Sequence, residues 1–387
     1  MPRNVLIVAG EASGDLYGAE LARELKRIEP DIVLWGTGGE KMRQEGVELL
    51  YTTREFAVLG FAEVFARLPF FFRAMKRMKQ LVLERRPSVF VPIDYPGFNM
   101  RLARFVSNQN FPVAYFVSPQ IWAWGWGRVP KIRSIVSRMI VTFPFEEEIY
   151  RKENIPVTYA GHPLIDLAKA ERSPGELRAT LGIEDDLPIV ALFPGSRTHE
   201  VESLLPVMRN AVSALRANGE RFHAVLGAAP TVDDAAYDAI LAGGDDTPIL
   251  RVRDATYDLL GASRFAILAS GTMTVEAAVL RTPMIIIYKV KPLSYLLGRL
   301  LVRVDHIGMV NILAKKRVVP ELIQGEANAA NVVKVAGSWL RDDETLAEIR
   351  TELDGVRRLL GGGGASARAA EAVIAVADAA DKTDRSP

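Results

Sequence analysis

Short apolar runs alternate with segments of helical periodicity along almost the whole chain, and this alternation restricts the fold more than any other feature. Such runs are typical of strands that are buried on both faces of a sheet. In the first half, the runs that predict strands are Asn4–Ala9, Asp31–Trp35, Val89–Ile93, Val113–Val117, Met139–Thr142 and Val157–Tyr159. In the second half they are Ile189–Phe193, His223–Leu226, Ile249–Val252, Ala266–Leu268 and Met284–Tyr288. Strands separated by helices form parallel βαβ units, so the sequence predicts an α/β protein with doubly wound, Rossmann-like sheets.

The chain is expected to form two domains, because 387 residues exceed what one ordinary hydrophobic core contains. The composition changes near Asp166–Leu187, where turn-forming and charged residues predict a connector. We therefore predict an N-terminal domain over residues 1–168 and a C-terminal domain over residues 186–360. Gly361–Gly364 interrupts the helical pattern, and an alanine-rich helix follows at about 365–380. The sequence leaves open whether this last helix packs back on the N-terminal domain or swaps to another subunit.

Composition excludes several classes of function. Lys and Arg number 48 against 47 Asp and Glu, so no global charge attracts nucleic acid. The chain has no cysteine, and its four histidines lack zinc-ligand spacing, so we expect no structural metal. No apolar stretch reaches the about 18 residues of a membrane span, and the N-terminus lacks the apolar core of a signal peptide. These features predict a cytoplasmic protein.

A carboxylate follows one of the buried runs in the first half. Asp94 comes directly after Val89–Ile93, and Pro96 and Gly97 then break the pattern. Open α/β sheets bind their ligands at the carboxyl ends of the strands, where an acid can take a proton from a substrate. Asp94 could equally cap the next helix through a backbone N–H group.

A loop of small residues follows the first strand. Gly10, Glu11, Ser13, Gly14 and Asp15 join this strand to a helix, which directs backbone N–H groups toward a ligand. The loop lacks the Gly-x-Gly-x-x-Gly dinucleotide fingerprint, and its two carboxylates suit a sugar better than a pyrophosphate. A tight turn with Ser13 or Asp15 as helix cap is the simpler interpretation.

Two loops of the second half have the composition of a phosphate site. Arg197, after the strand Ile189–Phe193, offers a planar guanidinium for phosphate, although Glu200 could simply pair with it. The second loop joins a strand to a helix and places hydroxyls and N–H groups at the helix start, with Glu276 available for ribose hydroxyls. A capping box would explain the same pattern. The candidate residues of this second loop are Ser270, Gly271, Thr272, Thr274 and Glu276.

Three of the five tryptophans lie within five residues, beside glycine and arginine. Indole rings in a glycine-rich loop suit the wall of a sugar or lipid site, whereas the alternative is a half-buried loop that plugs the sheet. The candidate residues of this loop are Ser118, Gln120, Trp122 and Trp124.

The segment Phe61–Leu83 combines apolar residues at helical spacing with arginines and lysines. A basic amphipathic helix can lie in an anionic membrane interface, and three adjacent phenylalanines cannot all face one core. An ordinary helix packed on the sheet is the alternative, with Pro69 marking its start. The candidate membrane residues are Phe61, Phe65, Leu68, Phe70, Phe71, Phe72 and Met75.

Taken together, these motifs resemble the lipid-A-disaccharide synthases, a family of GT-B glycosyltransferases (family 19). The resemblance runs from about Val5 to Gln324. It is carried by the segments 9–15, 93–99, 118–124, 161–163, 194–197, 269–272 and 311–314, in this order and spacing.

The resemblance implies two doubly wound domains that face each other across a cleft. It implies an inverting transfer from UDP-2,3-diacylglucosamine to 2,3-diacylglucosamine 1-phosphate, which gives a β-1,6-linked disaccharide 1-phosphate and UDP. It also implies a metal-independent enzyme on the anionic surface of the inner membrane of a Gram-negative bacterium, and it leaves a homodimer open.

The resemblance also assigns residues. Asp94 is implied as the general base, with Glu11 and Asp15 as further catalytic residues of the cleft, and Asn99 in the same motif is predicted to bind substrate. Asn311 joins Arg197, Gly271, Thr272 and Glu276 in the donor site. Val310, where many members have proline, and Lys315-Lys316, where Ala-Gly is common, depart from the family pattern beside Asn311.

Three rival functions fit parts of this pattern. One is another UDP-sugar transferase, such as the one that adds N-acetylglucosamine to a peptidoglycan lipid precursor. A hexose epimerase of similar architecture is the second, and a non-catalytic nucleotide- or lipid-binding protein is the third.

Overall fold

The structure, a computed structural model, describes residues 2–56, 61–244, 247–290 and 305–384, without the side chains at 61–67, 124, 383 and 384. The chain divides into two compact units. Unit 1 consists of Met1–Pro163 and Leu360–Pro387, and unit 2 consists of Leu164–Leu359. The segment 169–185, which the sequence interpretation leaves as a connector, contains a helix and belongs to unit 2.

Within the described residues, unit 1 is built on a parallel sheet of seven strands in the order β3-β2-β1-β4-β5-β6-β7. Val5–Ala9 of β1 and all five residues of β4 are buried, because helices cover both faces of the sheet. The strands are β1 (Asn4–Ala9), β2 (Val33–Gly38), β3 (Glu48–Thr52), β4 (Val89–Ile93), β5 (Ala114–Phe116), β6 (Arg138–Val141) and β7 (Val157–Tyr159).

The helices of unit 1 connect these strands. They are α1 (Ala12–Ile28), α2 (Glu40–Gln44), α3 (Thr53–Phe56), α4 (Phe61–Arg85), α5 (Pro96–Asn108), α6 (Ile121–Trp124), α7 (Val129–Ile135) and α8 (Pro144–Lys152). Pro69 lies inside α4, so the expectation that it marks the start of this helix is wrong. In the sequence, the apolar periodicity continues on both sides of the proline, as expected for a helix that extends across it.

Unit 2 repeats the architecture with a described parallel sheet in the order β10-β9-β8-β11-β12-β13. Its strands are β8 (Ile189–Phe193), β9 (His223–Ala228), β10 (Ile249–Arg253), β11 (Phe265–Ala269), β12 (Met284–Tyr288) and β13 (Glu321–Ile323). Its helices are α9 (Leu164–Leu167), α10 (Pro174–Thr180), α11 (Thr198–Ala217), α12 (Asp234–Ala242), α13 (Thr256–Ala262), α14 (Met273–Val279), α15 (Met309–Ala314), α16 (Ala329–Trp339) and α17 (Asp343–Leu359).

The last helix, α18 (Ala365–Asp384), returns to unit 1 and packs on α1 of the same chain. Its buried face consists of small residues such as Ala369, Ala370 and Val373, which allow a close approach. The guanidinium of Arg368 donates hydrogen bonds to the carbonyl oxygens of Ala160, Gly362 and Gly363. These bonds secure the segment that follows unit 2 against the end of β7.

Each sheet has a topological switch point, where strand order reverses and a crevice opens at the carboxyl ends. In unit 1 it lies between β1 and β4, and in unit 2 between β8 and β11. The loops after these four strands carry Glu11, Asp94, Arg197 and Ser270 respectively. Most of the candidate residues therefore lie where such sheets bind ligands.

None of the helices in the described parts of the chain combines the length and the apolarity needed to cross a membrane.

Candidate active site

Asp94 lies at the carboxyl end of β4 in a left-handed backbone conformation. Its φ is 44° and that of Tyr95 is 49°, which costs non-glycine residues roughly 1 kcal/mol each. The N–H group of Asp94 donates to the Phe116 carbonyl oxygen at 3.1 Å. Its own carbonyl oxygen accepts from Tyr115 Oη at 2.7 Å and from Asn99 Nδ2 at 2.8 Å. Both sides of the turn are thus hydrogen-bonded to neighbouring elements.

The carboxyl group of Asp94 is half-buried, and burial raises its pKa to about 7. The negative charge of Glu11, in the loop after β1, raises this pKa further, while the backbone N–H of Tyr95 lowers it. A carboxylate with a pKa near neutrality is suited to general-base catalysis, because it is available unprotonated and still binds a proton well. The two acidic residues predicted to act together are therefore electrostatic neighbours.

Asp15 has a different task from the one predicted. Its side chain is buried, and Oδ1 accepts from the N–H groups of Gly39 at 2.6 Å and Met42 at 3.0 Å, while Oδ2 accepts from Lys41 at 3.2 Å. These are the unpaired donors at the start of α2. We therefore assign Asp15 a structural role as the cap of α2, and not a role in proton transfer.

The loop after β1 packs closely on its surroundings. A Cβ atom on Gly10 would lie 2.4 Å from the ring of Tyr95, so only glycine lets this loop approach the Asp94 turn. Ser13 is half-buried in the first turn of α1, and Gly14 packs against Ala9. Gly10 and Glu11 are consecutive in this loop, and the charge of Glu11 acts on Asp94 from there.

Asn99, predicted as a substrate ligand, is fully buried and directs its amide to the backbone. Nδ2 donates to the carbonyl oxygens of Val8 at 3.1 Å, Ile93 at 3.2 Å and Asp94 at 2.8 Å. The residue therefore joins the ends of β1 and β4, and the structure corrects its role from ligand binding to support of the Asp94 turn.

The loop after β5 is held by a buried carboxyl group that the sequence interpretation missed. Glu146 Oε1 accepts from Ser118 Oγ at 2.7 Å and from Trp122 Nε1 at 3.3 Å. Glu146 Oε2 accepts from the N–H of Phe143 at 3.3 Å. Ser118 is thus occupied within the fold, whereas Gln120 is exposed and Trp122 half-buried; the side chain of Trp124 lies outside the described part.

Aromatic rings surround this carboxyl group. Trp122 contacts Phe145 edge-on at 5.2 Å between ring centroids, and Phe143 stacks on Phe145 at 5.8 Å. Burial raises the pKa of Glu146 to about 7 and lowers the pKa of the neighbouring His162 to about 3, so His162 is neutral. The sequence signal for Glu146 is weak: a capping-box glutamate at N3 of α8 follows Phe143, which is no usual N-cap residue.

In unit 2, the loop after β8 already binds a carboxylate. Gly195 has a φ of 121°, and the N–H groups of Ser196 and Arg197 donate to Glu200 Oε2 at 3.0 and 3.2 Å. The guanidinium of Arg197 lies 3.3 Å from Glu200 Oε1. The pairing considered as an alternative for Arg197 is therefore present, and the loop amides demonstrably accommodate an anionic oxygen.

In the loop after β11, Gly271 and Thr272 are exposed just before α14 begins. Thr274 is buried, and its hydroxyl donates to the Gly271 carbonyl oxygen at 2.8 Å. Ser270 Oγ donates to Ile307 O at 3.2 Å. Burial raises the pKa of Glu276, which is half-buried on the first turn, to about 7.

Asn311, predicted as a donor-site residue, is fully buried in α15. Its Nδ2 donates to Val319 O at 2.9 Å and Glu321 Oε1 at 2.8 Å, and its Oδ1 accepts from the N–H groups of Val318 and Val319. Both ends of the side chain are used within unit 2. The structure therefore corrects its role from ligand to loop support.

The candidate membrane residues on α4 fall into two groups. Phe70 and Phe71 are half-buried and contact Phe56 edge-on at 5.6 and 5.7 Å. Phe72 is 72% exposed and Leu68 is 37% exposed. Met75 is half-buried, and the side chains of Phe61 and Phe65 lie outside the described part. As expected from three adjacent phenylalanines, part of the apolar surface faces solvent.

Two solved structures share the architecture over the whole chain. The calicheamicin glycosyltransferase CalG4 matches 97% of this chain and 98% of its own with a TM-score of 0.61 and 13% identity. The UDP-GlcNAc 2-epimerase of Methanocaldococcus jannaschii, solved with UDP-GlcNAc and UDP, matches 97% and 100% with a TM-score of 0.61 and 13% identity. These likenesses define the class of the fold: the two-domain GT-B architecture of glycosyltransferases and sugar-nucleotide epimerases.

Sequence comparison identifies the family to which the chain belongs within this fold class. The family model described as lipid-A-disaccharide synthetase matches residues 5–375. The lipid-A-disaccharide synthase of Syntrophus aciditrophicus is 43% identical over 366 residues, which cover 95% of this chain and 96% of that protein. The chain belongs to the lipid-A-disaccharide synthase family. It is a glycosyltransferase of lipid A disaccharide synthesis, with a sugar nucleotide and an acceptor as substrates.

The buried carboxyl group of Glu146 predicts a pH-dependent stability. Its pKa is raised above the unfolded value, so the stability it contributes is fully present below about pH 4 and is lost as the pH rises through about 7. The loss is at most about 3 kcal/mol. A glutamine side chain cannot ionise. The difference in melting temperature between Glu146→Gln and the native chain, measured by calorimetry, should therefore be more favourable to the variant at pH 8 than at pH 5.

Glu148→Gln is the matched control, because Glu148 lies on the same helix with an exposed side chain. Its melting temperature should differ from that of the native chain by similar amounts at the two pH values. Equal pH dependence of the two variants would contradict the assignment of a raised pKa to Glu146.

Proposed function

We propose that the protein transfers diacylglucosamine from UDP-2,3-diacylglucosamine to the 6-hydroxyl of 2,3-diacylglucosamine 1-phosphate with inversion. The products are the β-1,6-linked disaccharide 1-phosphate and UDP. The observation that carries the proposal is the Asp94 carboxyl group, which is half-buried at the switch point of unit 1 with its pKa raised to about 7. The family assignment supplies the reaction class, and the residues supply its chemistry.

Unit 1 activates the acceptor in this proposal. A sugar hydroxyl is a poor nucleophile at neutral pH, so its proton must leave as the new bond to the anomeric carbon forms. Asp94 accepts this proton. Attack opposite the departing UDP inverts the anomeric centre and turns an α-linked donor into a β-linked product, as in the direct displacement of inverting glycosidases.

Unit 2 binds the donor and stabilises the departing diphosphate. The N–H groups of Ser196 and Arg197 and the guanidinium of Arg197 hold the carboxylate of Glu200, which shows that these donors suit an anionic oxygen. In this proposal the exposed residues Gly271 and Thr272 offer further backbone donors, and Glu276 accepts ribose hydroxyls. The epimerase solved with UDP-GlcNAc and UDP supports a UDP-sugar donor for this fold.

The proposal assigns no metal and no other cofactor to the reaction, as the family resemblance implies. In the described ranges, no three histidine, aspartate or glutamate side chains are grouped as metal ligands. Arg197 and the loop N–H groups would supply the positive charge that the departing diphosphate requires.

The proposed place of action is the cytoplasmic, anionic surface of the inner membrane, where acylated substrates reside. Leu68 and Phe72 are four residues apart on one face of α4, and Lys76 continues the same stripe. An exposed apolar pair beside a lysine can insert below anionic headgroups. A homodimer remains a prediction from the resemblance.

The direct test incubates the protein with both acylated sugars in detergent micelles and detects the disaccharide 1-phosphate by mass spectrometry. Asp94→Asn should reduce turnover by about 10²- to 10⁴-fold, because the base is lost, while UDP affinity stays near that of the native chain. Asp31→Asn, the same change at an exposed position before β2, should leave turnover unchanged. Native turnover in Asp94→Asn would exclude Asp94 as the base.

The pH profile tests the coupling of Glu11 to Asp94. The base must be unprotonated, so kcat/KM should fall as the pH drops below about 7. Glu11→Gln removes a negative charge that raises the Asp94 pKa, and the acid limb should therefore move to lower pH. Glu40→Gln removes a carboxylate elsewhere in unit 1 and should leave the limb in place. If the acid limb of the kcat/KM profile stays at the same pH in Glu11→Gln, the coupling of Glu11 to Asp94 is contradicted.

Vesicle binding tests the membrane proposal. Leu68→Ser with Phe72→Ser removes exposed apolar surface without disturbing Phe70 and Phe71, and should weaken binding to anionic vesicles by at least about tenfold. Val33→Ser, at an apolar residue that is 43% exposed at the amino end of β2, is the control. Co-sedimentation with vesicles of neutral and anionic lipid measures both. Equal binding of the double variant and the native chain would reject this surface.

A further inference from the structure

The turn at Asp94 is held in place by its neighbours. Two consecutive non-glycine residues, Asp94 and Tyr95, both have φ near +45°. Residues keep such a conformation only when the surrounding structure imposes it, and such positions concentrate at functional sites. The elements that impose this backbone conformation therefore help to position the carboxyl group of Asp94.

Three hydrogen bonds hold the peptide groups on either side of the Asp94 Cα. The N–H group of Asp94 donates to Phe116 O, which anchors the turn to β5. The carbonyl oxygen of Asp94 accepts from Tyr115 Oη at 2.7 Å and from Asn99 Nδ2 at 2.8 Å. Since both acceptor positions of the carbonyl oxygen are filled, the peptide plane after Asp94 cannot rotate without breaking a partly buried hydrogen bond.

Tyr115 is suited to this task because it is a permanent donor. Its side chain is completely buried on β5, and burial, followed by the negative charge of Asp94, raises the pKa of its hydroxyl far above the ordinary value. The hydroxyl therefore keeps its proton throughout the physiological range. Its hydrogen bond goes to the backbone of Asp94, so Tyr115 acts on the carboxyl group only through the position of the turn.

Asn99 contributes the second donor and ties the turn to two strands. The same amide group that reaches Asp94 O also reaches Val8 O at the end of β1 and Ile93 O at the end of β4. The residue is fully buried, so its amide serves the backbone and is shielded from ligands. The side of the turn that faces the loop after β1 is closed by the ring of Tyr95 against Gly10.

We propose that Tyr115 and Asn99 are positioning residues of the glycosyl transfer, which hold the peptide of Asp94 so that its carboxyl group stays in the place of the base. The inference rests on the proposed function, because it takes Asp94 as the base. It assigns a role to Tyr115 and replaces the ligand role predicted for Asn99.

Tyr115→Phe tests the proposal, because it keeps the ring and removes one donor to Asp94 O. We expect kcat to fall about 10- to 100-fold with little change in KM, since small displacements of a reacting group have effects of this size. The acid limb of the pH profile should also move below pH 7, because a released carboxyl group gains solvent. The groups that set this limb are Asp94 itself, Glu11, Tyr95 and Tyr115, with Arg128 acting on Tyr115.

Tyr237→Phe in unit 2 is the matched control. Tyr237 is also completely buried, and its hydroxyl accepts a backbone hydrogen bond from Ala229 N at 3.0 Å. The substitution also removes a buried tyrosine hydroxyl, but one that does not contact the Asp94 turn. We therefore expect kcat and the acid limb of the pH profile to equal those of the native chain. All rates are expressed per folded molecule, with the folded fraction measured by circular dichroism, so partial unfolding cannot imitate the effect.

A double variant separates positioning from general destabilisation. If Tyr115 acts only through Asp94, Tyr115→Phe should cost nothing further in residual kcat when Asp94→Asn is already present. Asn99→Ala removes the other donor to the same oxygen and provides an independent second variant with the same expected signature.

The outcomes are distinguishable. Three results together support the proposal. Tyr115→Phe has a lower kcat and an acid limb at lower pH, and Tyr237→Phe has neither change. In the Asp94→Asn background, Tyr115→Phe causes no further loss of kcat. An unchanged kcat and limb in folded Tyr115→Phe, or an equal loss in the Asp94→Asn background, overturns it while leaving the proposed function intact. If the native chain makes no disaccharide, or if Asp94→Asn keeps native turnover, the proposed function or its base fails and the inference falls with it.

Discussion

The chemistry of unit 1 depends on the amide group of Asn99, which bonds to the ends of β1 and β4 and to the turn between β4 and α5. Parallel strands diverge at a switch point, and the carbonyl groups at their ends lose the partners that a continuous sheet provides. One buried side chain satisfies three of these carbonyl oxygens. The crevice can therefore stay open for a substrate while these three carbonyl oxygens keep hydrogen-bond donors.

In unit 2, buried polar side chains also bond to the backbone of loops, with different residues. Glu321 accepts from the N–H groups of Ile307 and Gly308 and from Asn311 Nδ2, and Asn311 in turn holds the backbone of Val318 and Val319. Buried polar side chains thus shape the loops, and exposed backbone is left for ligands. Burial raises the pKa of three carboxyl groups, those of Asp94, Glu146 and Glu276, to about 7 each.

The strands could be predicted where the sheet buries them on both faces. β1, β4, β8 and β12 begin and end at the predicted residues, because their apolar runs are continuous or nearly so. The bounds of β7 were also predicted, although β7 is a half-buried edge strand of three residues. β3 and β13 were not predicted, since each begins with a glutamate and contains only two or three apolar residues in succession. The family was recognised from motif order, and the comparisons confirm it.

The individual tasks of polar residues were harder to predict. Asp15, Asn99 and Asn311 lie in motifs that resemble ligand sites, yet each directs its side chain to backbone groups. Sequence spacing shows which loop a residue belongs to, but not which way its side chain points. Glu146 was missed for the converse reason, because one glutamate among three in a helix start gives no sign that it turns inward.

The return of α18 to unit 1 has a consequence for how the chain matures on the ribosome. Unit 2 is one continuous stretch, whereas unit 1 lacks the helix that covers α1 until α18, which follows unit 2 in the chain, has been made. The lobe translated first is therefore the lobe completed last, and until then the apolar face of α1 that α18 covers stays open to chaperones and to other nascent chains.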